Sequence, residues 1–124
     1  MAQVLLAEDN GGFASAISFN LEFAGHKVII ACDGQAAWEC AQRERFDLVI
    51  LDYAMPRMTG PDLCRHLRQD ARYAQMPIIL MTARRDVDIP KLTDELSLSA
   101  FFHKPFSTSK MLDKVKELLD KLPA

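Results

Sequence analysis

The sequence predicts an α/β domain, a five-stranded parallel sheet with helices on both faces. Two observations carry this. Short apolar runs of strand length alternate along the chain with longer segments of helical period. The runs are apolar on successive residues, as strands are when helices cover a sheet from both sides. A third observation says where to look for function. Acidic, hydroxyl and basic residues stand at the ends of these runs, and open α/β sheets hold ligands outside the carboxyl ends of their strands. With 124 residues the chain has the commonest size for one domain.

Each element has its own warrant. "VLLA" at residues 4–7 is the first strand. Phe13, Ile17, Leu21 and Ala24 recur at helical spacing, and Gly25 suits a left-handed cap after them. "KVIIAC" is the second strand, and Asp33 is placed to cap a helix through "QAAWECAQRE". "DLVILD" is the third strand. Pro61 fits the first turn of the third helix, with Leu63 and Leu67 on one side. "PIILMT" and "AFF" are the fourth and fifth strands. After Ser107, the residues Met111, Leu112, Val115, Leu118, Leu119 and Leu122 form an amphipathic stripe. The terminal "LPA" is expected to fray.

The fourth helix needs a closer reading. Inside a helix, proline removes a hydrogen bond and clashes with the preceding turn, costing about 3 kcal/mol. Asp88 can cap a helix starting at Ile89, which puts Pro90 in the tolerant first turn. The expectation is a short, late helix over 89–96 after a loop at 83–87. Ser97 offers its end little help, because glycine is the usual cap there.

Composition excludes several function classes. Fifteen basic and seventeen acidic residues give a net charge of −2, so no direct nucleic-acid or membrane partner is expected. The late lysines alternate with acids, as on a solvated helix face. Cys32, Cys40 and Cys64 lack metal-ligand spacing and read as thiols in a reducing compartment. No apolar run approaches the about 20 residues of a membrane span. The beginning has no basic segment before its short apolar run, so no signal peptide is read. A soluble cytoplasmic domain is expected.

The strand ends hold the chemistry. The first run ends in Glu8 and Asp9, the third in Asp52, the fourth in Thr82, and the fifth is followed by Lys104. Neighbouring strands would bring three carboxylates, a hydroxyl and an ammonium into one pocket. Three carboxylates so close need positive charge to stay ionised. Lys104 offsets one charge, and a divalent cation offsets two. Few carboxylates, with other positions left to water and phosphate, suit Mg²⁺. A carboxylate nucleophile, a metal, a hydroxyl and a cation are the parts of a phosphoryl transfer.

The pieces "LLAEDN", "DLVILDYAMPRMTG", "PIILMTA" and "FFHKPF" resemble the receiver domain of two-component response regulators over essentially the whole chain. The resemblance implies one receiver domain over 1–124 and the flavodoxin-like strand order 2-1-3-4-5. It implies Asp52 as phospho-acceptor. Glu8, Asp9, Asp52 and the backbone carbonyl of Ala54 would hold Mg²⁺. Thr82 looks like the switch hydroxyl and Lys104 like the cation that contacts the phosphoryl group. Phe101 occupies the aromatic switch position, often tyrosine, and Lys104–Pro105 is expected to be cis. The implied partners are a histidine kinase or histidine phosphotransfer protein, and a downstream protein target or fused output domain. Arg84, two residues past Thr82, is long enough to pair with a phosphoryl oxygen and slow its hydrolysis. The fourth helix, fifth strand and fifth helix would form the target-binding face.

Two other readings compete. A metal-dependent phosphohydrolase of the haloacid-dehalogenase-like kind places an acid/base aspartate two residues after its nucleophile, and Ala54 stands there. The chain is therefore expected not to be a turnover enzyme. A phosphorylation-independent pseudo-receiver would keep the fold without the full acidic, threonine and lysine set. His26, His66 and His103 lack a phospho-histidine context and read as surface or packing residues. A stand-alone regulator and a receiver cut from a larger protein both remain open, and the sequence names neither kinase nor target.

Overall fold

The computed structural model describes residues 2–122. Five strands alternate with five α-helices. They run in the order β1 (Gln3–Ala7), α1 (Gly11–Phe23), β2 (Lys27–Ala31), α2 (Gly34–Arg43), β3 (Leu48–Asp52) and α3 (Gly60–Gln69). A 3₁₀ turn at Ala71–Tyr73 precedes β4 (Ile78–Thr82), α4 (Ile89–Leu96), β5 (Ala100–His103) and α5 (Thr108–Asp120). All strands are parallel, in the flavodoxin-like order β2-β1-β3-β4-β5. Part of the "LPA" expectation, residues 123 and 124, lies outside the described residues.

The strands build two cores, because alternate side chains point to opposite faces. Leu5, Val49, Leu51, Ile78 and Leu80 pack under α2 and α3, with Leu96 of α4. Val4, Leu6, Leu48, Ile50, Ile79 and Met81 pack under α1 and α5. Strands β3 and β4 are buried at every residue, which is why their sequences show no alternation.

Every α-helix begins with a side-chain cap. Asn10, Asp33, Thr59, Asp88 and Ser107 accept from the N–H groups of Phe13, Ala36, Asp62, Lys91 and Lys110. Each such cap contributes about 1 kcal/mol. Gly25 takes φ 100 after α1, as its place in the sequence requires. The short α4 begins at Ile89 with Pro90 in its first turn. It ends on Ser97, which itself enters the left-handed region at φ 54 and ψ 50.

One helical face differs from expectation. Ala14, Ile17, Ser18 and Leu21 are the buried residues of α1, Phe13 is half-buried, and Ala24 is an exposed cap residue. Phe19 and Phe23 lie on its outer side, 67% and 88% exposed.

On the far side of α3, Arg68 is half-buried, and among the described residues no carboxylate pairs with it. Its guanidinium donates to the carbonyls of Leu96, Tyr73, Ala74, Met76 and Ser97. Nearby, Arg65 pairs with Glu95 of α4 at 2.7 Å. The C-terminal end of α4 is thus bound to α3 and the 3₁₀ turn.

Candidate functional site

The carboxyl ends of β1, β3, β4 and β5 meet at one edge of the sheet. Because β1 pairs β3, β3 pairs β4 and β4 pairs β5, the residues after these strands become neighbours. Glu8 and Asp52 are buried there, Asp9 is exposed, and Thr82 is buried. One oxygen each from Glu8, Asp9 and Asp52 can be chosen so that all three lie within 4.8 Å of one another.

Lys104 enters from the end of β5. Its backbone N–H donates to the carbonyl of Thr82 at 2.8 Å, which fixes its position beside β4. Its Nζ lies 2.6 Å from Glu8 Oε1 and 3.2 Å from Asp52 Oδ1, and 4.5 Å from the centre of the Phe13 ring. The Lys104–Pro105 peptide is cis.

The charges set one another. Burial raises the pKa of Glu8, opposed by the Lys104 hydrogen bond and by the Asn10 N–H on Oε2. Burial also raises Asp52, against the pull of Lys104, while Asp9 adds to the rise. Burial works against the Lys104 ammonium, yet its two carboxylate partners hold its pKa above the ordinary lysine value. Three carboxylates against one ammonium leave excess negative charge on an all-oxygen donor set. That set fits a hard divalent cation such as Mg²⁺.

The loop 53–59 follows Asp52. Tyr53 N–H donates to Met81 O at 2.7 Å, and Gly60 N–H donates to Tyr53 O at 2.9 Å. Gly60 packs so tightly on the Asp52 carbonyl that no Cβ would fit. Ala54 sits exposed in this loop.

On the other side, Thr82 Oγ1 accepts from the Arg84 N–H at 3.0 Å. The Arg84 carbonyl is 3.1 Å from His103 Nε2, and the His103 ring meets Phe101 edge-on at 4.7 Å. Phe101 is half-buried. Thr82 and Phe101 are therefore joined through Arg84 and His103. Sequence reasoning gave His103 no such part, since its partner is a backbone carbonyl nineteen residues away. The Arg84 side chain holds Asp86 with contacts of 2.9 and 2.7 Å and lies over the Tyr53 ring. A local carboxylate two residues away captured it.

Residues 4–116 match the family model described as "Response regulator receiver domain". The chain belongs to this family. The receiver domain is 32% identical over 117 residues to the alkaline phosphatase synthesis transcriptional regulatory protein PhoP of Bacillus subtilis, covering 94% of this chain and 48% of that protein. It spans about half the length of the curated relatives it matches. Among solved structures, the Vibrio cholerae chemotaxis protein CheY4 superposes with a TM-score of 0.88 at 30% identity, covering 95% of this chain and 98% of that one. The receiver domain of the Pseudomonas aeruginosa sensor histidine kinase PA1611 superposes with a TM-score of 0.86 at 24% identity, covering 97% and 98%. That structure is described with a magnesium ion in its active-site cleft, and at this identity the likeness shows the fold alone. Receiver domains are signalling domains of two-component systems that accept phosphoryl groups and bind Mg²⁺ in the active site. Among the described residues, no helix is long and apolar enough to cross a membrane.

Proposed function

We propose that this receiver domain accepts a phosphoryl group on Asp52 from a phosphohistidine of a histidine kinase or histidine phosphotransfer protein. The observation that carries this reading is the cluster of Glu8, Asp9 and Asp52 with Lys104 bonded into it. An Asp52 oxygen attacks phosphorus and the P–N bond to the donor imidazole breaks. The imidazole nitrogen keeps the electron pair and later takes a proton from water. Glu8, Asp9, Asp52 and the Ala54 carbonyl would hold Mg²⁺, which when bound would supply charge neutralisation for the carboxylates and the phosphoryl oxygens. Lys104 leaves Asp52 Oδ1 for a phosphoryl oxygen while staying on Glu8.

The switch follows from the Thr82 hydroxyl. When Thr82 turns to a phosphoryl oxygen, its oxygen leaves the Arg84 N–H. Residues 83–88 then lose their tie to β4, and the Arg84–His103–Phe101 contacts shift with them. The face that changes comprises α4, β5 and α5. The partner on this face is a downstream protein or an output domain in the same chain. A net charge of −2 gives the domain itself no electrostatic pull toward nucleic acid or membrane, and the cytoplasm is its proposed compartment.

Incubation with acetyl phosphate and Mg²⁺ followed by intact mass tests the reading. A phosphoryl adduct that requires Mg²⁺ and Asp52 supports it. Fast turnover without an adduct points to a phosphohydrolase instead. No reaction at all points to a phosphorylation-independent interaction module.

A further inference from the structure

Arg57 is an arginine in a glycine's conformation. Its φ is 69, and Met58 N–H donates to Pro56 O at 2.7 Å across it, closing a three-residue turn. Such a turn with positive φ at its centre is rare and strained for a residue with a side chain. Strain of this kind persists where surrounding contacts over-determine it.

The contacts come from the turn between β2 and α2. Arg57 Nη2 and Nε reach Asp33 Oδ2 at 2.7 and 3.2 Å. The Asp33 side chain is only 7% exposed, and its other oxygen takes the Ala36 N–H at 2.7 Å. Next to it, Gly34 lies so close to the Met58 carbonyl that no side chain would fit. The loop 53–59 is therefore fixed at its two ends by Tyr53 and Gly60, and at its tip by Asp33 and Gly34.

We infer that the Asp33–Arg57 pair is a positioning clamp, which holds loop 53–59 in the conformation that offers its backbone to the metal beside Asp52. This rests on the functional reading above, in which Ala54 supplies a carbonyl ligand. Arg57 and Asp33 are not among the residues that would hold the metal or the phosphoryl group. They act through the loop backbone, as outer-shell partners of metal ligands do.

The test compares wild type with D33N, R57G and R57K, titrating Mg²⁺ alone and following amide shifts by NMR. Asparagine keeps an oxygen for the Ala36 N–H, so D33N removes the ion pair and leaves the cap. Glycine accepts the Arg57 backbone conformation, so R57G removes the pair without adding strain. D33N and R57G are expected to bind Mg²⁺ about tenfold more weakly, with R57K recovering part of the loss. Acetyl phosphate labelling should slow in both at low Mg²⁺ and return to the wild-type rate at saturating Mg²⁺. Mg²⁺ affinities within twofold of wild type in D33N and R57G overturn the clamp, whatever their melting temperatures. If wild type itself binds no Mg²⁺, the functional reading fails, and amide exchange at residues 53–59 in the metal-free protein decides the clamp. Faster exchange in D33N and R57G supports it, and unchanged exchange overturns it.

Discussion

Lys104 donates to Glu8 across 2.6 Å, tying the end of β5 to the end of β1 over the two strands between them. Glu8 is almost fully buried, so the ammonium is the chief compensation for its charge.

Replacing Lys104 with alanine should leave the protein folded but weaker by about 3 kcal/mol, the scale for removing one partner of a buried ion pair. The total stability of such a domain, about 5–15 kcal/mol, absorbs that loss. Excess Mg²⁺ should restore part of it by supplying positive charge to the same carboxylates. Urea unfolding with and without Mg²⁺ measures both effects. Equal midpoints for wild type and variant in EDTA contradict this account of Glu8.

Asp52→Asn should abolish the phosphoryl adduct, because an amide is a poor nucleophile. It should also raise the melting temperature of the metal-free protein by a few degrees. The raised pKa of Asp52 means that the fold favours its neutral form, and asparagine is neutral at every pH. Intact mass and thermal unfolding report the two results. An adduct formed at the wild-type rate sinks the acceptor assignment.

Asp33 predicts a pH dependence. The Ala36 N–H, then Arg57, hold its carboxyl below the ordinary aspartate value. As pH falls below about 5 the unfolded chain takes up this proton before the folded one does. The contribution of Asp33 is therefore complete at neutral pH and is lost as pH drops through its folded pKa. The stability gap between wild type and D33N should narrow over that range. A gap that stays constant or widens between pH 5 and 3 shows that the carboxylate is not held in this way.

Ser97 and the loop before α4 form a linked pair of expectations. Ser97 pays the steric cost of the left-handed region, so Ser97→Gly should stabilise the protein by about 1 kcal/mol. At the other end of α4, amides 84–88 should exchange much faster than those of α5. Protection equal to that of α5 removes the case for a mobile loop.

The strand ends and the start of α4 were legible because local chemistry decides them. Asp88 and Pro90 leave few places for a helix to begin, and buried strands advertise themselves as apolar runs. The pairs that organise the site were not legible. Arg57 finds Asp33 twenty-four residues away, and a positive φ at arginine has no mark in the sequence. Arg68 looks like a surface cation on a helix, yet it collects five backbone carbonyls. Tyr73, in the 3₁₀ turn between α3 and β4, is fully buried with its hydroxyl shared by the carbonyls of Ala41 and Glu44. The pairing of Arg84 with Asp86, two residues on in the loop, was not read either. Long polar side chains choose partners only once the fold has placed them.

Arg68 and Arg65 give α4 a mechanical character. One end of this helix is bolted to α3, while the other hangs from a loop tied to Thr82 and His103 through the Arg84 backbone. That makes α4 a lever with its fulcrum near Ser97. At about 1.5 Å per residue its eight residues give an arm of about 12 Å, so a tilt of about 10° carries the free end about 2 Å. If Thr82 turns as proposed, the rotation of one hydroxyl at the sheet edge would be geared up into a displacement that a docked protein would feel, while the far end of the helix would stay still.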